Sequence, residues 1–145
     1  MTSVHICRAA EVEAIKQLKA RYFRHLDTKD WSGLRAVFTD DATFEVVTPA
    51  PCVTHGADAV IAMMRSSVGD AVTVHHGHQP EIEPTSENTA NGIWAMEDLI
   101  WWAPGSPSTH LHGFGHYHET YRKDDERWRI ASVRLTRIRR EVMPG

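Results

Sequence analysis

The chain has 145 residues, with 16 Lys and Arg against 19 Asp and Glu, and a formal net charge of −3 when the histidines are neutral. This length predicts a single domain, residues 1–145, that buries about two-thirds of its unfolded surface and can hold an interior pocket. The charge balance excludes sequence-independent binding to nucleic acid, which needs clustered Lys and Arg. Cys7 and Cys52 lie far apart without a CxxC motif, so we expect no disulfide framework.

The N-terminal residues contain no apolar run typical of a signal peptide, and no stretch approaches the ~20 apolar residues of a membrane span. The expected location is therefore the cytoplasm, without a membrane partner.

Apolar spacing predicts three helices in the first half of the chain. The first runs from Ala9 to Leu26, with charged residues such as Lys19 away from its apolar stripe. Asp30 is the expected N-cap of a short second helix from Trp31 to Phe38. The third helix is predicted from Ala57 to Ser67.

Alternating, β-branched residues predict a strand from Ala42 to Val47, which Pro49 and Pro51 end, and a loop follows. The period then changes from that of a helix to that of strands, and turns rich in Pro, Gly and Asp separate the segments. Helices that come early and a later antiparallel meander predict an α+β fold, with helices on one side of a strongly curved sheet. Its long strands are Val72–His78, Thr89–Trp102, His110–Arg122 and Arg127–Arg139.

Asp27 is a candidate functional residue because it ends the first predicted helix, where the helix dipole disfavours a carboxylate. The alternative is a solvated acid in the turn that follows. Tyr22, on the apolar stripe of the same helix, is either a functional hydroxyl or a core aromatic residue.

Ten histidines are the main oddity of the composition. Because side chains alternate across a strand, His76 and His78 share one face and His75 faces the other way. An H-x-H pair can chelate a metal ion, but a structural zinc site needs four ligands, so we expect no bound metal. Four more histidines share a face of a later strand: His110, His112, His116 and His118. The alternative to a functional role is that these histidine side chains lie on the strand surface or in the core.

Arg134 lies on the strand face of Thr136 and Ile138, so it either points inward to hold an anionic or carbonyl group or belongs to a solvated edge. The chain contains no G-x-S-x-G, G-x-G-x-x-G or P-loop motif, which argues against covalent hydrolase and nucleotide-dependent chemistry. Four tryptophans line an aromatic cavity or else pack in the core or an interface: Trp94, Trp101, Trp102 and Trp128.

Four segments resemble the SnoaL-like branch of the nuclear transport factor 2-like superfamily. They are residues 14–44 (AIKQLKARYFRHLDTKDWSGLRAVFTDDATF), His75–Ile82 (HHGHQPEI), Tyr121-Arg122 and Trp128–Arg137 (WRIASVRLTR). The resemblance covers nearly the whole chain and implies a cone-shaped α+β barrel, in which three helices and a curved sheet enclose a pocket.

Within that superfamily the sequence is most similar to the group of scytalone dehydratase, hexachlorocyclohexane dehydrochlorinase and bile acid 7α-dehydratase. The resemblance implies a catalytic Asp–His dyad formed by Asp27 and His75, with Tyr22 at the position of a catalytic tyrosine. On the last strand, Arg134 matches an arginine of the dehydrochlorinase. Together with Arg134, the expected substrate contacts are Trp94, His76 and Phe23.

The leading hypothesis is a lyase without a cofactor that eliminates water or another small group from a hydrophobic cyclic molecule, with His75 as the base. An isomerase or polyketide cyclase of the same fold is the nearest alternative. A non-catalytic small-molecule binder or interaction module is a third. The resemblance also implies a homodimer or homotrimer.

Overall fold

A computed structural model describes residues 2–145, with side chains from Arg8 onward, and shows three helices and six strands. Their bounds in chain order are α1 Thr2–Asp27, α2 Trp31–Ala36, β1 Phe38–Val46, β2 Cys52–His55, α3 Ala57–Val68, β3 Val72–Pro84, β4 Thr89–Trp101, β5 Ser108–Asp124 and β6 Arg127–Pro144.

The six strands form one mixed sheet in the order β2-β1-β6-β5-β4-β3, and the three helices pack against it. Only the β1–β6 pair is parallel, and the other neighbours are antiparallel. The sheet does not close, because β2 and β3 are its edges. The predicted cone-shaped α+β architecture is confirmed, and its interior lies between the sheet and α1.

The short second helix begins as predicted and ends earlier. Asp30 is its N-cap, and its carboxylate accepts the backbone N–H of Gly33 at 3.0 Å. The prediction that this helix reaches Phe38 is wrong. The carbonyl of Val37 accepts the N–H of Ile130 at 2.8 Å, and Phe38 already pairs with β6, so β1 begins there and not at Ala42.

Several strand bounds also differ from the prediction, and β3 continues beyond His78 to Pro84. The segment after β1 is not only a loop, because Cys52–His55 pairs antiparallel with β1. This edge strand has four mostly exposed residues and therefore no apolar alternation to reveal it. The last strand continues beyond Arg139 to Pro144, because β5 pairs with it from Ser108.

The main core lies between the inner face of the sheet and the buried face of α1. Phe38 and Ile130 fill its centre, and the helix contributes Ile15, Leu18 and Leu26. Among the described residues, none of the helices is both long and apolar enough to span a membrane.

Candidate functional site

The last residue of α1 contacts the fourth residue of β3. The Oδ1 atom of Asp27 lies 2.7 Å from Nδ1 of His75, although 48 positions separate the two residues. The other carboxylate oxygen of Asp27 accepts the backbone N–H of His75 at 2.8 Å. His75 is 8% exposed, so this hydrogen-bonded pair lies at the border between interior and solvent.

Thr73 and Lys29 support the carboxylate of Asp27. The hydroxyl of Thr73 donates to Oδ1 of Asp27 at 2.9 Å, and Nζ of Lys29 donates to that hydroxyl at 2.7 Å. Partial burial lowers the pKa of Lys29, and the charge of Asp27 acts in the opposite direction. Thr73 lies two residues before His75, on the same face of β3, so strand alternation explains why both side chains reach the end of α1.

A groove of about 510 Å³ lies between α1 and the edge strand β3, and the Asp27–His75 pair forms part of its wall. Phe23 and His76, which the sequence predicts as substrate contacts, line this groove, and their contact with a substrate stays a prediction. Gly77 lets the helix approach, because a Cβ there would lie 2.8 Å from the ring of Phe23. The sequence does not predict a substrate contact for four of the lining residues: Ala20, Arg24, Gly77 and His78.

Tyr22 does not line this groove. Its side chain is 1% exposed, and its ring packs edge-on against Phe23, Phe38 and Tyr117. Burial, and then the charge of Glu119, raise the pKa of Tyr22 far above the ordinary value for tyrosine. The structure thus places Tyr22 in the core behind Phe23, as the alternative interpretation expected.

Trp94 belongs to a buried polar network and not to the groove lining. Its indole N–H donates to the hydroxyl of Tyr121 at 2.9 Å, and Tyr121 donates to Glu119 at 2.7 Å. Nζ of Lys19 completes the network at 2.7 Å from Glu119, with both side chains fully buried. The expectation that Lys19 lies away from the apolar stripe is wrong.

Lys19 reaches this network because it lies four residues after Ile15 and three before Tyr22, within the buried stripe of α1. Its ammonium group also lies 3.8 Å from the ring centroids of Tyr22 and Tyr117. Burial lowers the pKa of Lys19, and Glu119 opposes this shift. The interior of the cone therefore holds a paired charge that the sequence alone did not indicate.

The inward orientation expected for Arg134 is wrong. Its side chain is 52% exposed, and its Nε lies 3.4 Å from Glu45 on the outer face. The arginine that points inward is Arg137, which forms two hydrogen bonds with Asp98 at 2.6 and 2.9 Å. The cause is a register shift in β6 at Ala131, after which the inward residues have odd numbers instead of even ones.

Asp98 places this ion pair next to His75 in the sheet. It is the direct register partner of His75 across β3 and β4, and both side chains are buried. Burial alone would lower the pKa of Arg137, but the hydrogen bonds and charge of Asp98 raise it, so the guanidinium stays protonated. His75 thus has Asp27 beside it on the helix side and the neutralised Asp98–Arg137 pair beside it within the sheet.

The other tryptophans do not form a shared cavity. Trp101 stacks on His110 on the outer face of the sheet, and the indole of Trp102 donates to the carbonyl of Ser67 at 3.1 Å. The indole of Trp128 bonds to Glu11. These positions favour separate packing roles, which was the alternative interpretation.

The sequence also matches a known protein family. The model of the SnoaL-like domain matches residues 8–134, and the chain belongs to this family. A protein of Gibberella zeae named as a probable cyclase is 25% identical over 133 residues, which cover 86% of this chain and 89% of that protein.

Two solved structures share the fold. A type 2 hexachlorocyclohexane dehydrochlorinase superposes with a TM-score of 0.83 at 18% identity, covering 97% of this chain and 94% of that one. A scytalone dehydratase-like protein of Novosphingobium aromaticivorans gives a TM-score of 0.81 at 22% identity, covering 97% and 91%. Proteins similar to this chain thus include ones named as dehydrochlorinase, dehydratase and cyclase.

Proposed function

We propose that this protein is a lyase that removes a proton from a carbon atom of a small hydrophobic cyclic molecule and eliminates water or another small leaving group. The observation that carries the proposal is the contact of 2.7 Å between Asp27 and His75 on the wall of the groove. A histidine that a carboxylate orients in this way is a common general base.

The proton-abstracting atom is Nε2 of His75. Asp27 accepts the hydrogen on Nδ1, which fixes the tautomer, and no atom of the described residues makes a hydrogen bond to Nε2. The carboxylate also stabilises the imidazolium that forms. In an elimination of water, the electrons of the C–H bond form the new double bond, the C–O bond breaks, and the departing hydroxide takes the proton from Nε2.

Phe23 and Ala20 give the groove an apolar wall suited to a ring, and Arg24 adds a positive charge suited to a carbonyl or carboxylate oxygen. Tyr22 has no direct part in this scheme because its side chain is buried.

A cyclase is the second candidate, and the fungal relative named as a probable cyclase favours it. The same base would remove a carbon-bound proton, and the resulting carbanion would attack a carbonyl group of the same molecule. Product mass separates the two reactions. An elimination product is lighter than the substrate by the leaving group and one proton, whereas a simple ring closure leaves the mass unchanged.

The first test needs no substrate. A strongly hydrogen-bonded ring proton of a histidine gives a resonance far downfield in the proton NMR spectrum, and we expect one such resonance of the native chain to disappear in His75→Gln. Loss of that signal in His112→Gln instead would show that it arises from the contact of 2.6 Å between His112 and Glu97.

The second test is turnover in a screen of cyclic hydroxy ketones and polyketide-like compounds. Asp27→Asn and His75→Gln should reduce kcat by about 10²–10⁴-fold, the usual contribution of a positioned general base. His116→Gln is the matched control and should keep its activity. Native turnover in folded His75→Gln would refute the proposal, and ligand binding without turnover in the native chain would favour the non-catalytic binder.

A further inference from the structure

Three side chains with metal-ligating atoms meet on the outer face of the sheet, beside the groove that two of them also line. They are His76 and His78 on β3 and Glu97 on β4, and one ligating atom from each lies within 4.8 Å of the other two. Strand alternation puts both histidines on the same face, and Glu97 is the direct register partner of His76. The cluster is therefore a consequence of the β3–β4 register.

His112 on β5 holds the carboxylate of Glu97 in place. Its Nε2 lies 2.6 Å from Oε1 of Glu97, while the other carboxylate oxygen is 3.8 Å from Nε2 of His78. One oxygen of Glu97 is thus hydrogen-bonded to His112, and the other faces the H-x-H pair. Metal sites commonly have such a neighbour that orients a ligand without binding the ion.

We propose that His76, His78 and Glu97 bind one divalent first-row transition cation, with Zn²⁺ as the reference ion. Imidazole nitrogen together with one carboxylate oxygen suits Zn²⁺, Cu²⁺ and Ni²⁺, whereas Mg²⁺ and Ca²⁺ require mostly oxygen ligands. Three protein ligands leave a fourth position for water or another small ligand.

The distances fit such a site after small side-chain rotations. Zinc bonds of about 2.0–2.1 Å in tetrahedral geometry place neighbouring ligand atoms about 3.4 Å apart. The ligating atoms lie within 4.8 Å of one another, and both histidines are exposed, so close packing does not oppose these rotations.

A second H-x-H pair on the same face provides an internal comparison. The rings of His116 and His118 on β5 are 6.2 Å apart, close to the 6.0 Å between the rings of His76 and His78. However, Nε2 of His118 contacts the hydroxyl of Thr136 at 3.2 Å, and no carboxylate of the described residues completes a three-ligand group there. The two pairs thus differ mainly in the acidic ligand.

The experiment is calorimetric titration of Zn²⁺ into the full chain, without a histidine tag and after removal of metal by a chelator. We expect one Zn²⁺ per chain and no binding of Mg²⁺. His76→Asn with His78→Asn should abolish binding. Glu97→Gln, which changes a ligand, should weaken binding by more than about tenfold, the lower limit for the loss of an outer partner such as His112. His116→Asn with His118→Asn should bind Zn²⁺ as the native chain does.

Undiminished Zn²⁺ binding after substitution of His76 and His78 would overturn the proposal, as would equal losses in the two double variants. Failure of the native chain to bind Zn²⁺ would also overturn it. Because the substituted histidines are exposed, urea unfolding without metal should be unchanged, which separates a lost ligand from a lost fold. The absorption spectrum of bound Co²⁺ then tests whether the site is tetrahedral.

Discussion

Asp98 and Arg137 form a two-bond ion pair inside the cone at the place where the intervening strand β5 carries no side chain. A Cβ at Gly113 would lie 2.2 Å from Nη1 of Arg137 and 2.3 Å from Oδ1 of Asp98. Gly113 therefore provides the space in which the two charged groups meet, next to His75 on β3.

We expect Gly113→Ala to destabilise the fold by about 2–4 kcal/mol, because the added methyl group must displace the buried ion pair. Urea unfolding measures the change. Asn91→Ala, at an exposed position on β4, is the control and should stay within about 0.5 kcal/mol. A Gly113→Ala chain as stable as the native one would contradict the packing described for Asp98 and Arg137.

Substitution of the two arginines on β6 should have very different effects. Arg137→Met leaves the Asp98 carboxylate buried without its partner, and we expect a loss of about 3–5 kcal/mol in the free energy of unfolding. Arg134→Met removes only an exposed contact with Glu45 and should change stability by less than about 1 kcal/mol. Similar losses in both variants would show that burial does not distinguish the two positions.

Some of these groups can be predicted from the sequence because the features that identify them lie within one helix or one strand. Asp27 is a candidate because it ends a helix, and His75 is a candidate because its side chain faces away from those of its neighbours on the strand. The resemblance to a family implies that the two residues act together. The structure brings the two side chains together. Their catalytic roles stay a prediction.

The side-chain orientations that the sequence does not predict depend on contacts between residues far apart in the chain. One extra residue at Ala131 reverses the alternation of β6, so the inward arginine is Arg137 and not Arg134. The apolar spacing of α1 predicts that Lys19 lies away from the buried stripe, but the side chain is fully buried. Its partner Glu119 lies 100 positions away and becomes its neighbour only when β5 packs against the helix.

Thr73 should act as a positioning residue for the proposed reaction. Thr73→Val keeps the side-chain shape but removes the hydroxyl that links Asp27 to Lys29. We expect kcat to fall about tenfold with little change in KM, because substrate contacts stay intact while the dyad loses its support. Thr120→Val, on the outer face of β5, is the matched control. A change in KM alone would mean that Thr73 contributes to binding instead.

The buried pair of Lys19 and Glu119 should add little to the free energy of unfolding as a pair, but removing only one of the two charges should lower it strongly. Lys19→Met leaves a buried carboxylate whose described partner is the hydroxyl of Tyr121, and we expect a loss of about 3–5 kcal/mol. The double variant Lys19→Met with Glu119→Gln should recover most of that loss. Lys16→Met, on the exposed side of α1, is the control. A double variant less stable than Lys19→Met would contradict this account.

The three tyrosines of the chain should make the fold unstable in alkali. All three are buried, and burial is the main reason that the pKa values of Tyr22, Tyr117 and Tyr121 lie above the ordinary value of 10.0. Above pH 10 the unfolded chain loses these protons while the folded chain keeps them, so stability falls as the pH rises. Each tyrosine contributes about 1.4 kcal/mol per pH unit, or about 4 kcal/mol for the three.

Urea unfolding at several pH values above 10 measures this slope, and Tyr117→Phe should reduce it by about a third. The lowered pKa of Lys19 makes a contribution of opposite sign that ends near pH 10.5, where the lysine of the unfolded chain also becomes neutral. Tyrosinate absorbance should therefore appear together with the loss of tertiary structure. Its appearance near pH 10 in a chain that is still folded would show that at least one hydroxyl is accessible to solvent, and Tyr22 would then be the first to re-examine as a catalytic group.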